Sequence, residues 1–396
     1  MLGELTRQAK ELSELDRALF TATHFGFMPI RAPRVTAEDL ELVKHCGTNP
    51  HYDAAEKISL IRSYIEDNLS ALSHPLALAY KKPSARKRFR IYSLHIIGST
   101  SGVAEATLIR TALSILSEDG HKNLRVDLNC VGDKESINTY ERELAGFVRK
   151  FGVELSEETK QSLKSDIFNL FRSDADDAKS LRESAPQAIA FLSPQSRIYF
   201  KEVLEYIEAL GIEFRLTPEL IGEKNHVSHT IFAIKSIEDD LLSPSTSALA
   251  PEGGPVLAMG YRYSRLARLC GLRREMPLAG VNIFYAARED SDPEEVYRSM
   301  PKPKFCLLQL GREAKIKTLT LLEVLRTHHI SVHHFLSKDR ITVQLENAEH
   351  LPVSHLIIIG QKEALENTAT IRNVSTRAQD TISLTDLPRY LKNIKL

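Results

Sequence analysis

The stretch at 80–90, YKKPSARKRFR, gathers Lys81, Lys82, Arg86, Lys87, Arg88 and Arg90 within eleven residues. Cations this close together hold phosphate oxygens, and through them a nucleic-acid backbone, without reading base sequence. The rest of the chain adds no pull of its own: 52 basic residues balance 52 acidic ones, so a polyanion must be held by a local patch. The bland alternative for the same run is a solvated hairpin tip. Phe89 and Tyr92 beside it suit stacking on a base or, by strand alternation, burial in a core.

His328, His329, His333 and His334 invite a metal reading. They fall across a helix end and a strand, where adjacent imidazoles point to opposite faces, and no Cys or carboxylate is spaced with them, so no metal site is expected. Cys46, Cys130, Cys270 and Cys306 are too dispersed for a thiol pair or a metal knuckle and suit a reducing cytoplasm. No nucleophile elbow and no phosphate-cradling G-x-x-x-x-G-K occurs. Charges interrupt the first twenty residues and no apolar run reaches spanning length, which points away from export and membranes.

Among the elements that must position these residues, Leu5, Leu12, Leu15 and Leu19 predict a first helix that ends at Gly26. KHCGTNPHYDAAEK is polar and turn-rich, and SLIRSYIEDNLSAL resumes a helical period. LALAY and RIYSLHIIG predict two strands flanking the basic loop. A helix over GVAEATLIRTALSILSEDG and a strand over LRVDLNCVG follow, then a mostly helical block at about 134–210. Ser193 and Pro194 suit the cap and first turn of its last helix. FRLTPEL, HTIFAIKSI and PVLAMGYRYS return to strands, with Gly253 and Gly254 suited to a turn. SMPKPK reads as a linker, and strands and helices alternate beyond it as in a small α/β domain.

With these segments in order, the chain resembles histidyl-tRNA synthetases over nearly its full length. FGFMPIRAP at 25–33 is similar to the family's Y-G-Y-x-x-I-R-T-P. RIYSLHIIGST and AEATLIRTAL resemble the strand and helix after its second motif. GYRYSRLARLCG at 260–271 is similar to G-G-R-Y-D-G-L, and LGREAKIKTLTLLEVLR through HLIIIG and ATIRNV resembles the anticodon-binding domain. The resemblance implies an α+β fold: a class II synthetase core at 1–300, its antiparallel sheet flanked by helices and carrying the helical insertion, a linker at 301–304, and an anticodon-binding-like α/β domain at 305–396. It also implies a homodimer, and places the basic loop where synthetases meet ATP and the acceptor end of tRNA.

The chain also departs from the family's motifs. Where the family has F-R-x-E, this chain reads L-A-Y-K, so Ala79 replaces the Arg and Lys81 the Glu. GEKNHVSHTIFA stands for R-G-L-D-Y-Y-T-G-T-V-F-E, with Gly222 for the Arg and His226 and Val227 for the tyrosines. The Gln and Glu of Q-F-G-V-E fall on Ile91 and His95, and 35–59 is too short for the T-L-R-P-E-G-T hairpin. Arg288, Arg262 and Tyr263 are the matching positions of a nucleotide site, and Arg340 and Gln344 those of the anticodon domain. Adenylate formation needs fixed positive charge at the α-phosphate. The expectation is therefore a synthetase-like protein without ligase activity, in the cytoplasm, binding tRNA or another structured RNA. It needs no cofactor; ATP and Mg apply only where ligase activity survives. Competing expectations are a synthetase-like regulatory subunit of ATP phosphoribosyltransferase, a diverged active histidine-tRNA ligase, and a protein-interaction scaffold.

Overall fold

The computed structural model describes residues 14–44, 54–69, 74–83, 89–151, 155–223, 225–237, 256–272, 276–286 and 297–394. In chain order come β1 (Glu14–Leu15), α1 (Arg17–His24), β2 (Met28–Pro29), α2 (Ala37–Lys44), α3 (Ala54–Glu66), β3 (Leu76–Lys81), β4 (Phe89–Ile97), α4 (Val103–Glu118) and β5 (Leu124–Gly132). A helical block holds α5 (Lys134–Phe151), α6 (Glu157–Ser165), α7 (Asn169–Arg172), α8 (Asp176–Glu183) and α9 (Pro194–Ala209). Then follow β6 (Phe214–Leu216), β7 (Ser228–Ser236), β8 (Val256–Arg262), α10 (Leu266–Leu269), β9 (Leu278–Ala286) and β10 (Arg298–Ser299). The remaining elements are β11 (Phe305–Gln309), α11 (Arg312–Thr327), β12 (Val332–His334), α12 (Ile341–Glu349), β13 (His355–Ile359), α13 (Gln361–Glu366), β14 (Thr368–Asn373), β15 (Gln379–Ser383) and α14 (Leu387–Asn393).

The eight-stranded sheet runs β2-β3-β4-β9-β8-β7-β5-β6, antiparallel within and parallel only at its two edge pairs. Helix α4 is apolar nearly all round and buried along its length, as a helix held between layers must be. It packs with α1 and α9 on one face of the sheet, while α3 contributes Leu60 and Ile61 to the core on the other. The second sheet, β12-β11-β13-β14-β15, is parallel at β11 and antiparallel beyond β13. A continuous core joins the two units: Leu19 and Ala22 of α1 share a cluster with Leu322 and Leu325 of α11. Arg326 adds an ion pair to Glu118, and Ser114 Oγ donates to Glu323 Oε2 at 2.8 Å.

Two helices depart from the sequence expectation. Among the described residues the first helix spans Arg17–His24, capped by Asp16, which accepts from Leu19 N at 3.0 Å, and Leu15 lies in a strand paired with Arg298; Leu5 and Leu12 lie outside the described residues. Helix α2 falls in text that reads as turn-rich or carries no assignment. Its start carries a capping box, Thr36 Oγ1 accepting from Asp39 N and Asp39 Oδ2 accepting from Thr36 N.

One close approach fixes the middle of the sheet. Gly260 on β8 faces Phe232 on β7, and a Cβ at Gly260 would stand 2.2 Å from the ring. Gly260→Ala is expected to destabilise the chain by about 1–3 kcal/mol through overpacking, seen as a lower midpoint of urea unfolding. An unchanged midpoint would show that Phe232 moves aside at no cost.

Candidate functional site

Strand parity decides which residues of the hairpin face the centre of the sheet. In the β3–β4 ladder Tyr80 pairs with Ser93 and Leu78 with His95, and Lys82 N donates to Ile91 O at 2.8 Å. Tyr80 and Lys82 therefore share a face with Ile91, Ser93 and His95. Ala79 pairs with Leu94 and lies in the opposite core. The alignment of Ala79 with a catalytic Arg thus places it on the face away from the centre, and among the described residues of this hairpin Lys82 is a cation on the face of the centre.

That centre is occupied by the chain's own side chains. Helix α3 brings Glu56, 5% exposed, against the Lys82 ammonium. The Ser93 hydroxyl lies 2.8 Å from Glu56 Oε1 and 2.8 Å from the Asn282 amide. Next along α3, Lys57 is 1% exposed, with its ammonium 5.0 Å from the Tyr261 ring centre and 5.5 Å from that of Tyr263. His95 is bracketed by two phenols, Nε2 3.0 Å from Tyr80 Oη and Nδ1 2.7 Å from Tyr263 Oη. A neutral imidazole donates from one nitrogen and accepts at the other, which satisfies both contacts. Burial, then the charge of Glu56, pushes the Tyr263 phenol well above its ordinary pKa, so it stays protonated. Tyr80, His95 and Tyr263 are all fully buried.

The other sequence candidates scatter. Arg262 is 3% exposed and faces α4. Its guanidinium donates to Glu105 Oε1 at 2.7 Å and Oε2 at 3.2 Å, and to Ser99 O at 2.8 Å. Tyr199 donates to the same carboxylate. This is a buried ion pair that ties β8 to α4. Lys81 turns from the loop toward Asp16, 3.6 Å away, and lies over the Tyr92 ring. Tyr92 is a core residue, donating to Asp16 Oδ2 at 2.7 Å. Lys81 and Lys82, assigned with the loop from the sequence, thus each reach an internal carboxylate, Asp16 and Glu56. Arg90 lies partly exposed on β4. Arg86, Lys87, Arg88 and Arg288 lie outside the described residues, as do Gly253 and Gly254.

In the second unit Arg340 is exposed at the start of α12, but Gln344 is fully buried. Its amide donates to Gln309 O and Lys338 O, each at 2.8 Å, and accepts from Gln309 N at 3.0 Å. It therefore clamps α12 to β11 and presents nothing to an RNA surface. Among the described residues no group of three or more His, Cys, Asp or Glu is arranged to hold a metal ion.

Glu56, Lys57, Glu105 and Tyr199 escape a reading of the sequence. Adjacent charges on a helix read as a solvated face, and nothing local marks Glu56 as the partner of Ser93, 37 residues on. The described residues at the centre do not fit ATP and Mg: the Glu56 carboxylate is engaged by Lys82 and Ser93, and Lys57 is buried over the Tyr261 and Tyr263 rings. No described helix is long and apolar enough to cross a membrane.

Residues 304–394 match the anticodon binding domain family. Over 357 residues the chain is 26% identical to the histidine–tRNA ligase of Listeria monocytogenes, covering 85% of this chain and 80% of that protein. The histidine–tRNA ligase of Rippkaea orientalis is 25% identical over 356 residues, covering 85% of this chain and 77% of its own. Among solved structures, apo histidyl-tRNA synthetase of S. aureus superposes with a TM-score of 0.53 at 22% identity, covering 98% of this chain and 95% of that one, so the fold is shared.

Proposed function

We propose that this chain, a histidyl-tRNA synthetase-family protein, binds tRNA or a related structured RNA without ligating an amino acid to it. The observation that carries the reading is the filled centre: Glu56, Lys57, Tyr80, His95 and Tyr263 are buried against one another on the sheet face. Transition-state charge needs donors that are not already committed, and Lys82 is committed to Glu56. RNA binding is assigned to the loop tip, Arg86, Lys87 and Arg88, with Arg90 behind it, and to the carboxy-terminal domain, where Arg340 is exposed. The protein acts in the cytoplasm as a homodimer in this reading, and needs neither ATP nor Mg. The competing reading, an active ligase, is favoured by relatives that are histidine–tRNA ligases.

Histidine-dependent exchange of pyrophosphate into ATP separates the two. No exchange above background is expected, with an authentic histidyl-tRNA synthetase as positive control; exchange abolished by Arg288→Ala would establish the ligase instead. For RNA, the triple variant Arg86→Ser, Lys87→Ser, Arg88→Ser is expected to weaken tRNA binding and to flatten its dependence on log salt by about 0.9 for each phosphate no longer neutralised. The same affinity and slope in variant and parent would overturn the assignment of RNA to the loop.

A further inference from the structure

In the second sheet, β11 lies between β12 and β13 and runs parallel to both. Leu322 and Leu325 of α11 share a core with Leu307 of β11, while Ala348 of α12 packs with Cys306 and Leu308 on its other face. The chain thus leaves this strand toward opposite sides and over opposite faces. The carboxyl end of such a strand is where open α/β sheets hold their ligands.

At that end stands Gln309, the last residue of β11, 1% exposed. Its side-chain amide reaches the turn after β12, with Nε2 3.3 Å from Phe335 O, 3.2 Å from Leu336 O and 2.9 Å from Lys338 O. Gln344 Nε2 donates to the same Lys338 O at 2.8 Å, and its side chain also bonds the Gln309 backbone. Carbonyls of the 335–340 loop are therefore gathered onto two buried amides. A loop has no ladder of its own, so these bonds set its shape. Asp339, the only acidic residue at 335–340, is paired with Lys315 of α11, and Arg340 at the exit of the loop is exposed. Gln309 Oε1 is buried and has no hydrogen-bond partner among the described residues. An apolar side chain would avoid that cost, so what the position gains from Gln is its N–H donors.

We infer that Gln309, backed by Gln344, is a positioning residue for RNA binding: it holds the 335–340 loop so that Arg340 meets a phosphate. The inference rests on the reading of the carboxy-terminal domain as an RNA-binding unit, and adds to it a residue that touches no RNA itself.

Binding of unfractionated tRNA to the full chain, followed against salt concentration, tests it. Arg340→Ser should weaken binding about tenfold and lower the slope against log salt by about 0.7–0.9, the loss of one phosphate contact. Gln309→Met, near in length but without a donor, should weaken binding and flatten the slope to a similar degree. The double variant should bind no more weakly than Arg340→Ser alone, because both residues act through one contact. A role in packing alone would move neither the slope nor the coupling. Hydrogen exchange in Gln309→Met should quicken at the Lys338 amide, bonded to Phe335 O at 2.8 Å, while β13 stays protected. Gln344→Met takes the same place in the cycle if Gln309→Met does not fold. Where Arg340→Ser weakens binding, parental affinity in the Gln variant, or additive losses in the double variant, overturns the inference and leaves the RNA reading standing. An Arg340→Ser variant that binds as the parent does overturns the inference together with the assignment of RNA to Arg340.

Discussion

Arg262→Met is expected to lower the unfolding free energy by about 3–5 kcal/mol, the usual result of removing one partner from a buried ion pair. The guanidinium is 3% exposed and its partner Glu105 is 1% exposed, so the variant leaves a carboxylate without its counter-charge where water does not reach. Ser99 O, held at 2.8 Å, loses its donor as well, and Tyr199 alone remains on the carboxylate. The double variant Glu105→Gln, Arg262→Met should recover part of the stability, because no unpaired charge is then buried. Urea unfolding of the parent, both single variants and the double variant measures the coupling. Equal midpoints for parent and Arg262→Met would remove the structural role assigned to this arginine and return it to the nucleotide-binding reading of the sequence.

Acidification below pH 6.5 is expected to loosen the packing of the carboxy-terminal unit on the core. His334, on β12, is half-buried as a residue, but both of its ring nitrogens are shut off from solvent against the turn after α1, where a Cβ at Gly26 would stand 2.7 Å from its ring. Burial lowers its pKa from 6.5 to about 4, with the neighbouring His333 acting in the same direction. The unfolded chain then binds the proton at a higher pH than the folded one. Stability is therefore complete above about pH 6.5 and declines as the pH falls toward 4. At 1.36 kcal/mol per pH unit the full decline is about 3 kcal/mol. His24, on α1, adds to it: burial lowers its pKa, with Arg326 and His329 acting the same way and Glu118 opposing, and it lies 3.2 Å from Ser331 Oγ across the same boundary. The urea midpoint measured at about pH 7.5 and about pH 5 should drop in the parent and drop less in His334→Gln. An equal drop in both would assign the acid sensitivity to other groups.

Much of the scaffold is legible in the sequence because its signals are local. β5 occupies the segment LRVDLNCVG that alternation and turn residues mark, and α9 begins at the Ser193-Pro194 cap, with Ser193 Oγ accepting from Ser196 N. Helix α2 is legible in principle, since Thr36 and Asp39 carry the spacing of a capping box, but its short polar text hides the signal. The leucine period says nothing about where a cap interrupts it, and Asp16 caps α1 ahead of Arg17.

The candidate site divides along the same line. Residue identity alone carried the resemblance of successive segments to the motifs of histidyl-tRNA synthetases, the departures from those motifs at Gly222, Ile91 and His95, and the run of six basic residues at 80–90. Tertiary structure alone decided what became of the centre. A one-residue difference in strand parity turned Ala79 and Lys81 to one face and Tyr80 and Lys82 to the other. Packing across 37 residues or more brought Glu56 to Ser93, His95 to Tyr263 and Arg262 to Glu105. Periodicity specifies which residues alternate, whereas the partner on the opposite wall is set by packing between segments remote in sequence.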